Sequence, residues 1–143
     1  MADHYDYFVA AKYRNKDEAL RLTKSIRDKG NSTYCFVESR ASIEHCGKLD
    51  CDGEEAMEKF EAISDWRNDA GIREIFNSDI GAERDSDTFV LLLPAGKSCH
   101  IEAGVAYGLG KKLILIGEQK EAESLYLIFD ETYPTIESFI DSI

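Results

Sequence analysis

The stretch Asp87–Ile116, DTFVLLLPAGKSCHIEAGVAYGLGKKLILI, decides the fold. It begins with an apolar run, Phe89–Leu93, and ends with a second one, Leu113–Ile116. Between them lie a turn and a segment of small residues long enough for a helix. This pattern predicts a strand, a crossover helix and a parallel strand. A parallel crossover of this kind is typical of an α/β fold.

The alternation of strand and helix continues on both sides of this unit. Further strands are predicted at Tyr5–Ala11, Thr33–Val37 and Leu125–Phe129, with a turn at Asp130–Pro134, and helices at Asp17–Lys29, Gly53–Asp65, Asp69–Asp85 and Thr135–Ile143. The sequence therefore predicts a single domain, residues 1–143. Its expected architecture is a doubly wound, flavodoxin- or Rossmann-like sheet of about five parallel strands, order 2-1-3-4-5, with helices on both faces. The polar stretch Glu38–Asp52 would lie on the ligand side, as a mobile loop or as a cover over a pocket.

Composition limits the classes of function. The chain carries a net charge of −11, which opposes binding to a nucleic-acid polymer. A small nucleoside or phosphorylated ligand is compatible with this charge, because helix ends can outweigh the global field. No apolar run approaches the roughly 20 residues that a bilayer span needs, and the amino terminus lacks signal-peptide features. We therefore expect a cytoplasmic protein without membrane contact.

The cysteines do not suggest a metal centre. The chain has Cys35, Cys46, Cys51 and Cys99, which are expected to be reduced thiols in the absence of a signal peptide. His45 stands beside Cys46, but a fourth ligand is missing and the spacing fits no common zinc pattern. We expect neither a metal nor a cofactor.

Asp79 stands out in the helix predicted at Asp69–Asp85. The apolar face of that helix contains Ile72, Ile75, Phe76 and Ile80. Asp79 follows Ile75 by four residues and therefore shares this face. A carboxylate in such a stripe costs free energy unless it is paired or opens into a site. Two interpretations follow: an acid at the edge of the stripe that reaches water, or a functional acid.

Glu102 falls in the first turns of the helix after the predicted third strand, where open α/β sheets bind ligands. The free backbone amides near Gly96 are typical of a polar-ligand or anion site. Ser98 can cap this helix or present its hydroxyl to a ligand. The helix dipole favours an ionised Glu102, which suits a nucleophile at a sugar carbon or simply stabilises the helix end. The adjacent residues Ser98, Cys99 and His100 do not make a catalytic triad. His100 is expected to lie exposed near the helix start.

Three segments resemble the nucleoside 2-deoxyribosyltransferase-like family, which includes transferases and nucleotide N-glycosidases. The first is Glu102-Ala103-Gly104 in a helix that ends in Gly-Lys before a strand. The second is Asn77-Ser78-Asp79-Ile80, leading to Asp87 at the next strand. The third is YFVAAKYRN, residues 7–15, after the first strand. The resemblance extends over most of the chain in architecture and about half of it in motif.

The resemblance implies a mechanism and a set of site residues. Glu102 would be the nucleophile at the sugar C1′, and Asp79 would hold or protonate the base side of the scissile bond. Substrate-binding residues would be Tyr13, Arg14, Gly96, Ser98 and His100, with Ser98 a candidate for a 5′-phosphate. It also implies a homodimer or larger homo-oligomer. Two alternatives remain: a TIR-like domain that cleaves NAD or nucleotides, and a non-catalytic module that binds or senses nucleotides.

Overall fold

The computed structural model describes residues 3–39 and 53–143. The strands are β1 (Tyr5–Ala10), β2 (Thr33–Cys35), β3 (Ser86–Leu92), β4 (Lys112–Ile116) and β5 (Glu131–Tyr133). The α-helices are α1 (Lys16–Asp28), α2 (Gly53–Glu61), α3 (Ala70–Arg84), α4 (Lys97–Gly108) and α5 (Ile136–Ser142). Short 3-10 segments lie at Tyr13–Asn15, Phe36–Glu38, Trp66–Asn68 and Ser124–Ile128. Most of the polar stretch Glu38–Asp52 lies outside the described residues.

The strands form one parallel sheet in the order β2-β1-β3-β4-β5, which confirms the expected topology. The chain moves outward from β1 in one direction to β2 and in the other to β3. Phe8 of β1 pairs with Tyr34 of β2 on one side and with Phe89 of β3 on the other. The turns after β1 and β3 therefore lie side by side at the carboxyl edge, at the switch point where such sheets bind ligands.

Helices cover both faces of the sheet, as expected. On one face, Leu22 of α1 and Phe139 of α5 pack with alternate residues of the central strands. On the other face, Ala82 of α3 joins Ala103 and Ala106 of α4 against the opposite set of strand residues. The small inner residues of α4 let this helix approach the sheet closely, so its neighbours on α3 come close as well.

The expected fifth strand, Leu125–Phe129, is wrong. All of these residues except Phe129 belong to the 3-10 segment Ser124–Ile128, and Leu125 and Leu127 are 72% and 88% exposed. The strand is instead Glu131–Tyr133, which was expected to be a turn, and it pairs with β4 through Ile114 and Glu131. A three-residue edge strand needs little apolar sequence, so hydrophobicity pointed to the wrong segment.

Gly117 brings the carboxyl ends of β3 and β4 together. Its φ is +114°, and a Cβ at this position would lie 2.8 Å from the Cβ of Leu93. Only glycine combines this backbone conformation with so close an approach. Gly117 therefore allows the close approach between the end of β4 and Leu93, next to the turn 93–97.

Among residues 3–39 and 53–143, no helix has the length and apolar character needed to cross a membrane.

Candidate active site

The inner face of α3 carries two acids at successive turns. Phe76, expected on the buried face, is instead 53% exposed, because the buried face is rotated away from it. The buried positions of the helix are Ala82 and Glu83, and Asp79 lies one turn before Glu83 on the same side. The face directed toward the sheet and α4 therefore holds carboxyl groups where an apolar stripe was expected.

Asp79 is held by Tyr34, a residue of β2 that sequence analysis missed. The Tyr34 hydroxyl donates a hydrogen bond of 2.8 Å to Asp79 Oδ1. The Tyr34 ring stacks on Phe8 at 5.2 Å between centroids, and Phe8 stacks on Phe89 at 5.6 Å. This row of rings fixes the hydroxyl. Burial raises the pKa of Asp79 to about 6, although the hydrogen bond from Tyr34 lowers it.

Glu102 is partly buried on α4, and its charge differs from the expected one. Burial, together with the charges of Asp79 and Glu83, raises the pKa of Glu102 to about 9. The side chain therefore carries a proton at neutral pH in the free protein, and the expected ionised state is wrong. The helix dipole is worth under about 1 kcal/mol, and burial with two nearby carboxyl groups outweighs it.

Glu83, Asp79 and Glu102 together form an acid cluster. Sequence analysis missed Glu83 as well as Tyr34. Its side chain is 1% exposed, and neither carboxyl oxygen has a hydrogen-bond partner among the described residues. Burial and the charge of Asp79 raise the pKa of Glu83 to about 7. The available signal was its spacing of four residues from Asp79, which places both on one helix face.

The amino end of α4 offers an environment for an anion. Gly96 is the N-cap and no side chain caps the helix, so the interpretation of Ser98 as a cap is wrong. Ser98 is exposed and lies four residues before Glu102, on the same side of the helix. Lys12, missed by sequence analysis, lies against Gly96: an added Cβ there would be 3.8 Å from its side-chain carbons. The amino end of α4 therefore has the Lys12 side chain beside its N-cap and Ser98 in its first turn.

Tyr13 and Arg14 lie in the turn after β1. The Tyr13 ring is half-buried and meets Phe36 edge-on at 6.0 Å between centroids. Arg14 Nη2 donates hydrogen bonds of 3.0 Å to both Glu54 and Glu61 of α2. Arg14 therefore joins the turn to α2 and would contact a substrate only in competition with these two carboxylates.

His100 is not exposed as expected, and the structure does not bring it to Glu102. Its Nδ1 donates to the Gly96 carbonyl at 2.7 Å, and its Nε2 lies 2.7 Å from the Tyr126 hydroxyl. In the neutral ring this arrangement leaves Nε2 as the acceptor. His100 precedes Glu102 by two residues, so the two side chains leave α4 on nearly opposite sides.

A groove lies on the His100 side of α4. Its volume is about 840 Å³, and its lining includes His100, Gly104, Tyr107, Tyr126 and Phe129 but neither Asp79 nor Glu102. His100 thus belongs to a different surface from the acid cluster.

A cysteine nucleophile is not supported by the environment of Cys99. This side chain is 4% exposed, and burial raises the pKa of its thiol to about 11. A thiol in this state is a poor nucleophile at neutral pH.

Among the described residues, one group of potential metal ligands lies at the amino edge of the sheet. Ligand atoms of His4, Asp6 and Asp87 lie within 4.8 Å of one another. His4 Nε2 is 3.0 Å from Asp87 Oδ2, and Asp6 Oδ2 accepts from the Ser32 amide at 2.8 Å. The group is largely exposed, so these partners suffice to explain it. The cluster considered in the sequence at residues 45–51 lies outside the described residues.

Comparison with known proteins gives structural likeness but no match to a family. No protein-family model matches the chain, and no curated protein matches it. Among solved structures, the chain is similar to the Clostridium botulinum CMP N-glycosidase BcmB. The sequence identity is 20%, the alignment covers 95% of this chain and 96% of that one, and the TM-score is 0.47. At this level the likeness bears on neither the reaction nor the site residues.

Proposed function

We propose that this protein cleaves or transfers the N-glycosidic bond of a nucleoside or a nucleoside 5′-monophosphate. Glu102 is the nucleophile at the sugar C1′, and Asp79 acts on the base side. The observation that carries the proposal is the pair of half-buried carboxyl groups with separated pKa values, about 6 for Asp79 and about 9 for Glu102. Such separation in one site is typical of acid and base partners. The resemblance in motif around both residues adds support.

In the first step one proton moves from the enzyme to the leaving base. Glu102 holds this proton at rest, and Asp79 is ionised above about pH 6. Tyr34 occupies Asp79 Oδ1, so Oδ2 is the oxygen that accepts the proton and passes it to the base nitrogen. The Glu102 carboxylate attacks C1′ as the C1′–N bond breaks. The products are a glycosyl ester on Glu102 and a neutral base.

In the second step an acceptor opens the ester. Water attacks C1′, the ester C–O bond breaks, and the proton lost by water returns to Glu102. The sugar leaves with a free hydroxyl group, and the resting state is restored. If the N–H of a second base attacks instead, the same proton returns and the result is transfer.

The amino end of α4 supports a site for a 5′-phosphate. Ser98 is one turn from Glu102, and among the described residues no side chain caps this end of the helix, where backbone amides can donate to phosphate oxygens. Lys12 adds a positive charge beside Gly96. A phosphate held there would direct the sugar toward Glu102.

The test is release of free base. The protein is incubated with ribonucleosides, deoxyribonucleosides, their 5′-monophosphates and NAD, with and without a second base, and products are separated by chromatography. Glu102→Gln is expected to lower kcat on the order of 10³-fold or more, and Asp79→Asn about 10²-fold. Glu74→Gln, at an exposed position of the same helix α3, is the control and should match wild type.

The same panel separates the alternatives. Base release or exchange from nucleosides, lost in Glu102→Gln, supports the proposal. Cleavage of NAD in preference to nucleosides would favour the NAD-cleaving alternative. Ligand binding without any base release, or full activity in Glu102→Gln, would contradict the proposed mechanism.

A further inference from the structure

Glu83 is a buried carboxyl group that the proposed mechanism does not use. It is 1% exposed, and both oxygens lack a hydrogen-bond partner among residues 3–39 and 53–143. The backbone amide of Ala106 lowers the pKa of Glu83 and so offsets part of its rise. Buried polar groups are nearly always paired, so this one needs an explanation.

Glu83 does not serve the packing of the core. A buried polar group without a partner costs stability, whereas an apolar side chain of similar length would fill the same space without that cost. Methionine at this position is therefore expected to give a more stable protein. A side chain that weakens the fold is a candidate for a functional role.

The neighbours of Glu83 show what its charge can affect. Asp79 lies one turn earlier on α3. Ala82, next to Glu83, packs in one core cluster with Ala103, next to Glu102, and the charge of Glu83 raises the pKa of Glu102. Lys111, which follows α4, lowers the pKa of Glu83. The Lys111 ammonium group donates to the Arg84 carbonyl at 2.7 Å, so it is already engaged. Glu102 also acts on Cys99, whose thiol is neutral. The charge of Glu83 therefore acts mainly on Glu102, the proposed nucleophile of the candidate site.

We infer that Glu83 is a positioning residue that controls the charge of Glu102. While Glu83 is ionised, its negative charge holds the proton on Glu102, and this is the proton that the leaving base receives. When Glu83 is neutral, Glu102 loses its proton more easily. The inference rests on the proposed function for its kinetic consequence, but its effect on Glu102 is measurable without a substrate.

The direct test is a carboxyl titration by ¹³C NMR of glutamate-labelled protein. The Glu102 signal is identified by its loss in Glu102→Gln. In Glu83→Gln the Glu102 midpoint is expected to fall from about 9 by about one pH unit, because a nearby negative charge is removed. Glu74→Gln serves as the matched control on α3 and should leave the midpoint unchanged. An unchanged midpoint in folded Glu83→Gln would overturn the inference.

Two further measurements keep the test decisive if Glu83→Gln does not fold. Glu83→Met removes the charge without leaving an amide unpaired, and the same fall in the midpoint is expected. In the wild type alone, the Glu102 signal should show a second inflection near pH 7, where Glu83 titrates. A single inflection there would contradict the inference.

Kinetics separate this inference from the proposed function. If base is released, the alkaline limb of the kcat/KM profile should move down by about one pH unit in Glu83→Gln and move back toward the wild-type position in Glu83→Asp. A limb that stays in place would contradict the role of Glu83 while leaving the reaction intact. If the wild type releases no base but the NMR midpoint still falls, the proposed reaction is wrong and the action of Glu83 on Glu102 stands.

Discussion

Two opposing effects set the charge of Asp79. Burial raises its pKa to about 6, and the hydrogen bond from Tyr34 limits this rise. The proposed mechanism needs Asp79 without a proton and Glu102 with one. Activity should therefore follow a bell-shaped pH profile, rising near pH 6 and falling near pH 9.

Tyr34→Phe tests the acid limb of this profile. The substitution removes the 2.8 Å hydrogen bond but keeps the ring stacked on Phe8. Without the bond, the ionised form of Asp79 is less stable, so the acid limb should move up by about one pH unit. The kcat/KM profile measures this. An acid limb that stays at its wild-type position would show that Tyr34 does not control Asp79, whereas the alkaline limb is the internal control.

Lys12 allows a test of the phosphate site. Lys12→Met keeps the length of the side chain and removes its charge. KM for a nucleoside 5′-monophosphate is expected to rise about tenfold, while KM for the matching nucleoside should change little. Lys120→Met, in an exposed acidic connection away from Gly96, is the control. Equal effects on both substrates would place the phosphate elsewhere.

At the scale of helices and strands, the central unit was predictable and its edges were not. Apolar runs on both sides of a helix-length segment predicted β3, α4 and β4 because a buried parallel strand is apolar throughout. The edge strand β5, Glu131-Thr132-Tyr133, has no such run. Its position depends on pairing with β4, a contact that local sequence does not specify.

The same reason explains why the sequence identifies some residues of the candidate site and misses others. Asp79 and Glu102 were identified because each is unusual within its own helix. Glu83, Tyr34 and Lys12 matter through neighbours that are distant along the chain: Glu83 through α4, Tyr34 through Asp79, and Lys12 through Gly96. These contacts arise only when helices and strands pack.

Gly117 should be among the most sensitive positions in the connections between elements. Gly117→Ala places a Cβ 2.8 Å from Leu93 Cβ at a φ of +114°, so it should lower the free energy of unfolding by about 1–3 kcal/mol.

Gly104→Ala should change the free energy of unfolding in the opposite direction. Gly104 lies inside α4 with nothing within 4 Å of an added Cβ, so alanine there should stabilise by about 0.5–1 kcal/mol. Chemical denaturation of both variants measures the difference in sign.

For the whole molecule, the acid cluster makes stability depend on pH in an unusual direction. The folded pKa of Glu102, about 9, lies above its ordinary value of 4.5. The contribution of Glu102 to the free energy of unfolding is therefore fully present below about pH 4.5. It is lost progressively as pH rises from there through about 9. Ion-paired carboxylates act in the opposite sense: Arg14 lowers the pKa of Glu54 and Lys112 lowers that of Glu131.

We expect the free energy of unfolding to fall from pH 6 to pH 8. Glu102 alone contributes up to about 1.4 kcal/mol per pH unit in this range, since the folded state holds one proton more than the unfolded state. Glu102→Gln should flatten this dependence, and Glu74→Gln should not. Urea denaturation at several pH values measures both. A wild-type stability that is constant or rises over this range would contradict the raised pKa.

The raised pKa values of the buried acids Glu102 and Glu83 also have a calorimetric consequence. Near pH 7 the folded chain retains about one to two protons on its buried acids that the unfolded chain gives up. Heating the protein through its transition therefore acidifies the solution, and the buffer absorbs the released protons with its own heat. The apparent enthalpy of unfolding should accordingly differ between Tris and phosphate at the same pH. The size of this difference is proportional to the number of protons that the acid cluster releases on unfolding.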